Sequence, residues 1–209
     1  MTSKKKIAIA GATGFIGRWF IDTYKNQYDI VALSRKKTSF NEMMEWRMVD
    51  LFSISSSVEA LKGVDYALYL VHSMQPSTRL NQSNFEDTDL LLADNFSRAA
   101  AICNLEHIVY VGGILPKDNL NISKHLQSRY EVEQVLGSRK TPLTTIRAGI
   151  IIGPGGSSFK IIEKLVENLP IMACPKWTKS KNQPVDLRVA LKTIEEILGN
   201  PQYFNKPIE

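Results

Sequence analysis

Gly11-Ala12-Thr13-Gly14-Phe15-Ile16-Gly17 directly follows the apolar run Ile7-Ala8-Ile9-Ala10 and opens a helix-like stretch that begins at Phe15. Strand, glycine turn and helix in this order is the context of a dinucleotide site. Gly11 permits the tight turn. Gly14 lets backbone approach a pyrophosphate with no Cβ in the way. Gly17 lets the helix pack close to the sheet. The start of the helix then offers free N–H groups and the positive end of its dipole to phosphates. The alternative is a glycine-rich β–α turn that holds no ligand.

Working outward, short runs rich in Val, Ile and Tyr alternate with helical patterns along the whole chain. Candidate strands lie at 7–10, 30–33, 47–49, 66–71, 107–111 and 143–147. Their length and composition suit buried parallel strands. Candidate helices lie at 15–25, 55–61, 85–103, 123–136, 157–168 and 185–198. Within 85–103, Leu92, Phe96, Ala99, Ala100 and Cys103 recur at helical spacing and form an apolar face directed at the core. Alternation of this kind predicts an α/β fold: a doubly wound parallel sheet between two helix layers, in one domain over residues 1–209. Gly153-Pro154-Gly155-Gly156 reads as a loop, not a domain boundary. In such sheets ligands sit beyond the C-terminal ends of the strands, at the switch point in strand order.

Composition narrows the function classes. With 209 residues, 44% hydrophobic and 22% charged, the chain has the balance of an ordinary globular domain. No apolar run approaches the ~20 residues that span a membrane. Lys4-Lys5-Lys6 precedes too short an apolar stretch for a secretion signal, so 7–10 is expected to be a first strand. Cys103 and Cys174 make no disulfide framework and have no metal-ligand spacing, which fits a reducing cytoplasm. The net charge of +5 suits an anionic ligand, but no basic stripe interleaved with aromatics points to nucleic acid. The expected partner is a small-molecule substrate.

The second strand ends at Leu33 and runs into Ser34-Arg35-Lys36-Lys37. An NAD site places Asp or Glu near this point to hydrogen-bond the ribose 2′-hydroxyl. A hydroxyl and three cations stand here instead, and Arg35 can grip a 2′-phosphate through two N–H groups. Arg18, next after the third glycine, can reach the same phosphate. NADP(H) is therefore expected over NAD(H); the alternative is a solvated basic turn. Asp50-Leu51 follows the third strand. Asp50 can meet an adenine amino group with Leu51 on the ring, or Asp50 can cap the helix near Ser53.

With these residues in view, the chain resembles the short-chain dehydrogenase/reductase superfamily, in its atypical NmrA-like or epimerase-like branch. The glycine loop carries the resemblance, together with Arg147-Ala148-Gly149-Ile150-Ile151-Ile152-Gly153-Pro154-Gly155 and Ser128-Arg129-Tyr130-Glu131-Val132-Glu133. The resemblance implies a Rossmann cofactor domain, with residues Gly11, Thr13, Gly14, Phe15, Ile16, Gly17, Arg18, Ser34, Arg35, Asp50, Leu51, Val71 and His72 around the dinucleotide. It also implies catalytic candidates at Tyr130, Ser128, Arg129 and His72.

Departures from the superfamily's pattern bear on the chemistry. Its catalytic pair is Tyr-x-x-x-Lys, in which the lysine lowers the tyrosine pKa. Here Gln134 stands four residues after Tyr130, and Gly112-Gly113-Ile114 stands where a Ser or Thr hydroxyl is expected. Ser128-Arg129 replaces the Ser-Lys pair of atypical members; Arg129 can hold the ribose or a substrate anion, but a guanidinium is a poor proton donor. With no cationic neighbour at the expected spacing, Tyr130 reads as a packed or surface tyrosine ahead of a catalytic one. His72, after Leu70-Val71, is an acid/base candidate or a satisfied strand-end histidine. His125 lies one turn before Arg129, while His107 starts the fifth strand, at the end of the sheet away from the expected site. Leu115, Pro116, Met172, Pro175 and Trp177 are candidates for an apolar substrate wall, or for packing.

The segment 150–209 is short for this branch, so the substrate region is expected to be reduced, or the chain to be a shortened form. The leading expectation is hydride transfer from NADPH to a small carbonyl or quinone, by a monomer or homodimer. The same departures also fit an NADP(H)-binding sensor or assembly protein that does not turn over. A nucleotide-sugar epimerase is disfavoured by Arg35 and Gln134.

Overall fold

The structure, a computed structural model, describes residues 4–36, 44–72, 85–116, 122–156, 163–164, 167 and 183–209. Six strands follow the β-branched runs closely: β1 (Lys6–Ala10), β2 (Asp29–Ser34), β3 (Glu45–Met48), β4 (Tyr66–Tyr69), β5 (His107–Gly113) and β6 (Leu143–Ala148). Between them lie α1 (Phe15–Tyr24), α2 (Ile54–Leu61), α3 (Phe85–Ile102) and α4 (Lys124–Leu136). The chain then forms β7 (Ile151–Ile152), β8 (Val185–Asp186), α5 (Leu187–Ile197) and β9 (Lys206–Ile208).

One seven-stranded sheet has the order β3-β2-β1-β4-β5-β6-β9. Every pairing in it is parallel. This is the doubly wound, three-layer α/β arrangement, with the reversal in strand order between β1 and β4. Alternate strand residues serve opposite faces, as the pleat requires. Ala8, Val31, Ala67, Tyr69, Ile108 and Tyr110 pack under α2, α3 and α4 through Leu61, Phe96, Val132 and Leu136. Ile7, Ile9, Ile30, Leu68, Val109 and Ile146 pack under α1 and α5 through Phe20, Leu191, Ile194 and Ile197. The apolar face foreseen on the 85–103 helix is this core contact; Phe96 is fully buried against the Tyr69 ring, 4.9 Å between centroids.

The structure corrects several boundaries. The fourth strand stops at Tyr69, although Leu70 N–H still donates to the Ala10 carbonyl at 2.8 Å. The final helix starts at Leu187 because Val185–Asp186 pairs with β7 and the Asp186 carboxylate caps the first turn. Of the expected helix at 157–168, only positions 163, 164 and 167 are described, and they are helical. The sheet has a seventh strand, β9, beyond the six expected runs. Asn205 starts it in the left-handed region (φ 57°) and brackets Leu143: its N–H donates to the Leu143 carbonyl at 2.7 Å, and its side-chain oxygen accepts from the Leu143 N–H at 3.2 Å. No helix among the described residues is long and apolar enough to cross a membrane.

His107 secures the same region. Its Nδ1 accepts from the Gly199 N–H at 3.1 Å, so its proton is on Nε2, which donates to Thr144 Oγ1 at 2.8 Å. Thr144 donates onward to the Tyr203 carbonyl at 2.6 Å. The ring is fully buried, and burial lowers its pKa to about 4. The unfolded chain takes up this proton near the ordinary value of ~6.5. Between those two values the unfolded state binds more protons, so stability is lost as pH falls. Denaturation free energy is expected to drop by about 1–3 kcal/mol from this source between pH ~6.5 and ~4. An NMR titration should show the His107 ring still neutral at pH ~5.5, where a free imidazole is mostly charged.

Candidate functional site

The C-terminal ends of β1, β2, β4 and β5 meet at the switch point, and the glycine loop fills its centre. Gly11 has φ 93°, a conformation that side chains resist, and a Cβ there would stand 3.1 Å from the backbone of Leu70. At Gly17 a Cβ would be 2.5 Å from the Gly11 carbonyl oxygen and 2.9 Å from Ala12 Cα. The helix therefore rests its main chain directly on the loop. Gly14 N–H donates back to the Gly11 carbonyl at 2.9 Å, which closes the turn. Gly14 is the N-cap of α1, with no side-chain cap, and the first turn carries no acidic residue. A helix terminus without a side-chain cap is the kind that can receive an anion. Thr13, Gly14 and Arg18 are exposed, whereas Phe15 and Ile16 pack partly into the α1 side of the core.

The far wall of the loop comes from the segment after β7. The Phe15 ring lies where a Cβ on Gly156 would approach within 3.2 Å, and Trp19 Nε1 donates to the Pro154 carbonyl at 3.0 Å. The Gly153–Gly156 sequence thus seats against α1 and closes its own turn through a Gly156 N–H bond to the Gly153 carbonyl at 3.1 Å.

At the end of β2, Ser34 Oγ accepts from the Lys36 N–H at 3.2 Å. Arg35 is exposed and makes no ion pair among the described residues. Lys37 lies outside the described residues. Beyond β3, the Asp50 carboxylate accepts from the Phe52 N–H at 3.2 Å, while Ser53 is the cap of α2 and accepts from the Ser56 N–H. The helix-capping alternative for Asp50 is thereby corrected: Asp50 organises the turn before the helix. Leu51 is only 8% exposed, and its carbonyl accepts from Asn95 Nδ2 at 2.9 Å.

Across the switch point, Val71 packs against the α3 side of the core, and His72 leans over the end of β5. His72 Nε2 donates to the Val111 carbonyl at 3.3 Å, and its ring meets Tyr110 edge-on at 5.8 Å. Burial, followed by the nearby positive charge of Arg129, lowers the His72 pKa to about 3. The ring is neutral at ordinary pH, with Nε2 protonated and Nδ1 a bare acceptor. It has no proton to give as a general acid.

On α4, Ser128 is buried and Tyr130 half-buried, without a hydrogen bond from its hydroxyl among the described residues. Arg129 is half-buried and lies over Gly113, whose Cβ position is 3.6 Å from Arg129 Cδ. The Tyr110 hydroxyl donates to the Arg129 carbonyl at 3.3 Å, and burial holds that phenol protonated. His125 is exposed, and its pKa is lowered by partial burial and by Arg129. Arg147 has a structural task that its motif position did not reveal. It grips Glu133 with Nη2 and Nε at 2.8 and 3.2 Å, tying α4 to β6. Among the expected wall residues, Leu115 is half-buried and Pro116 exposed, and Met172, Pro175 and Trp177 lie outside the described residues. A separate concavity lined by Lys6, Tyr28, Asp29 and Glu45 sits at the opposite edge of the sheet from the glycine loop.

Comparison with known proteins gives three findings. The profile of the NAD dependent epimerase/dehydratase family matches residues 7–170. The auxiliary protein GraX of Staphylococcus aureus (strain NCTC 8325 / PS 47) is 32% identical over 148 residues, 68% of this chain and 43% of that protein. The chain thus spans less than half the length of this curated relative. Among solved structures, the UDP-N-acetylglucosamine 4-epimerase from Bacillus cereus superposes with a TM-score of 0.69 at 20% identity, over 98% of this chain and 77% of that one. The Bordetella bronchiseptica enzyme WbmG, in complex with NAD, superposes with a TM-score of 0.75 at 13% identity, over 93% and 68% of the two chains. Identities this low bear on the fold alone.

Gly17→Ala is expected to destabilise the protein by about 1–3 kcal/mol, because the new methyl meets main chain that cannot swing aside. Gly14→Ala is expected to cost less, since its Cβ meets only the Gly11 oxygen, at 3.1 Å. Urea denaturation of the two variants checks the ranking.

Proposed function

The chain belongs to the NAD dependent epimerase/dehydratase family, and on that premise we propose that it is an NADP(H)-binding oxidoreductase of the atypical short-chain type. Its acceptor is a small carbonyl or quinone. The observation that carries this reading is the glycine loop: main chain packed on main chain at the switch point, with an uncapped helix terminus behind it. That cradle fits a pyrophosphate. WbmG, of the same fold, is described with NAD bound. Preference for the 2′-phosphorylated form comes from the end of β2, where Ser34 and exposed Arg35 stand in place of a carboxylate. Arg18, exposed on the first turn of α1, adds a second cation. Val71 and His72 border the other half of the crevice, and Asp50 with Leu51 borders the adenine end.

A bound nicotinamide supplies the hydride. The protein's part is to orient the acceptor carbon and to exclude competing chemistry. Gln134 replaces the lysine that would acidify Tyr130, and His72 is neutral with its proton already donated to Val111. Water, Tyr130 or the exposed His125 is left to protonate the product oxygen. A quinone suits such a site better than a ketone, because the reduced oxygen is a weaker base. The setting for this reading is the cytoplasm, with the protein a monomer or homodimer.

A second reading, an NADP(H)-binding sensor or assembly protein without turnover, draws on the likeness to a protein named as auxiliary. The absent Tyr–Lys pair favours it as well. Epimerase chemistry, the activity named for the Bacillus cereus structure, is disfavoured by Arg35 and by Gln134.

Arg35→Asp is expected to weaken NADPH binding roughly tenfold to a hundredfold while changing NADH binding far less. Fluorescence titration of both dinucleotides reads this directly, and equal losses would remove the NADP assignment. NADPH oxidation by menadione then separates the two readings: turnover identifies the oxidoreductase, and tight binding without turnover with any acceptor identifies the sensor.

A further inference from the structure

Arg129, on the α4 side of the crevice, has no side-chain partner among the described residues. Its Nε is buried and makes no hydrogen bond, and its guanidinium forms no ion pair among the described residues. Sequestered donors of a charged group are costly to leave unmet. The usual remedy on a helix is a carboxylate four residues away, and Glu133 occupies that position. Arg147 has taken it, with two N–H groups on the two carboxylate oxygens. Asp89 on α3 acts electrostatically on both Tyr110 and His125, but it has a partner of its own and makes no ion pair with Arg129.

The placement of the guanidinium is defined from three sides. Its stem passes the end of β5 at Gly113, whose Cβ position lies in van der Waals contact with Cδ at 3.6 Å and Nη1 at 3.9 Å. Its own main chain is held by the Tyr110 hydroxyl. Its charge reaches His72 at the end of β4. This is the β4–β5 half of the crevice, away from Arg35.

We propose that Arg129 receives a carboxylate on the substrate, which makes the acceptor a carbonyl or quinone compound bearing a carboxylic acid. The proposal rests on the reading of the crevice as a nicotinamide-dinucleotide site. A guanidinium offers a planar fork that matches a carboxylate through two bonds. The count of charges selects the class. His72 is neutral, so Arg129 contributes one positive charge, which a monocarboxylate balances and a phosphate dianion exceeds. The bare Nδ1 of His72 can accept from a hydroxyl or a protonated group beside that carboxylate, but cannot itself pair with an anion.

The test is calorimetric titration of pyruvate and of inorganic phosphate into wild type, Arg129→Gln and Arg129→Lys, each with and without saturating NADP+. NADPH titration of the same three proteins runs beside it. Wild type is expected to bind pyruvate more tightly than phosphate. Arg129→Gln should lose pyruvate affinity tenfold or more, and Arg129→Lys should fall between. NADPH affinity should stay within about twofold throughout, given that this end of the crevice serves the substrate. Tighter phosphate binding, no binding of pyruvate to wild type, or pyruvate binding unchanged in Arg129→Gln would overturn the proposal. So would a tenfold loss of NADPH affinity in Arg129→Gln, which would give the guanidinium to the cofactor. If wild type binds pyruvate through Arg129 but fails to bind NADPH, the dinucleotide reading falls and the carboxylate site stands. Arg129→Lys, which keeps the charge and the stem, decides the matter should the Gln variant fold poorly.

Discussion

The crevice depends on two main-chain contacts that leave no space for a side chain. Helix α1 sits on the turn that precedes it at Gly17, and the turn sits on the backbone of Leu70 at Gly11. The first contact fixes how far α1 stands from the sheet, and the second fixes the distance between the loop and the strand across the switch point. Because both partners are backbone, neither distance can relax through a rotamer change. The positions of Arg18, Trp19 and Phe15 follow from the first contact, and those of Val71 and His72 from the second.

The two edges of the sheet treat charge differently. At the N-terminal edge, Lys5 bridges Asp65 and Glu106, and Lys6 meets Glu45. Arg47 adds the Ala60 and Lys62 carbonyls to its pairing with Glu45. These cations close the ends of strands and loops. At the C-terminal edge, Arg35 and Arg129 have no ion-pair partner among the described residues, and the carboxylate nearest Arg129 along its helix is bound to Arg147. Exposed pairs contribute little to stability, so the contrast matters more for where the molecule presents positive potential than for how firmly it folds.

Much of this was legible in the sequence. The glycine spacing and the alternation of β-branched runs with helical patterns are local signals, and they placed six strands and five helices to within a few residues. What escaped depends on partners distant in sequence. Strand β9 is three residues long and contains a proline; it exists because Asn205 brackets Leu143, a contact spanning 62 positions. Arg147 looked like part of a loop motif, and only the folded chain shows Glu133 in its grip. The neutral state of His72 likewise comes from enclosure and from Arg129, which is distant in sequence on α4. Sequence spacing located the glycine turn between β1 and α1; ionisation and pairing around it are properties of packing.

The bond from the Trp19 indole to the Pro154 carbonyl has an optical consequence. It joins the helix that follows the glycine turn to a loop more than a hundred positions later, at a residue 38% exposed to solvent. An indole whose N–H is held by a carbonyl emits at a different wavelength from one released to water. Any movement that parts that loop from α1 will therefore shift the emission of a native chromophore, and the protein carries its own gauge of how tightly the two walls of the crevice are joined.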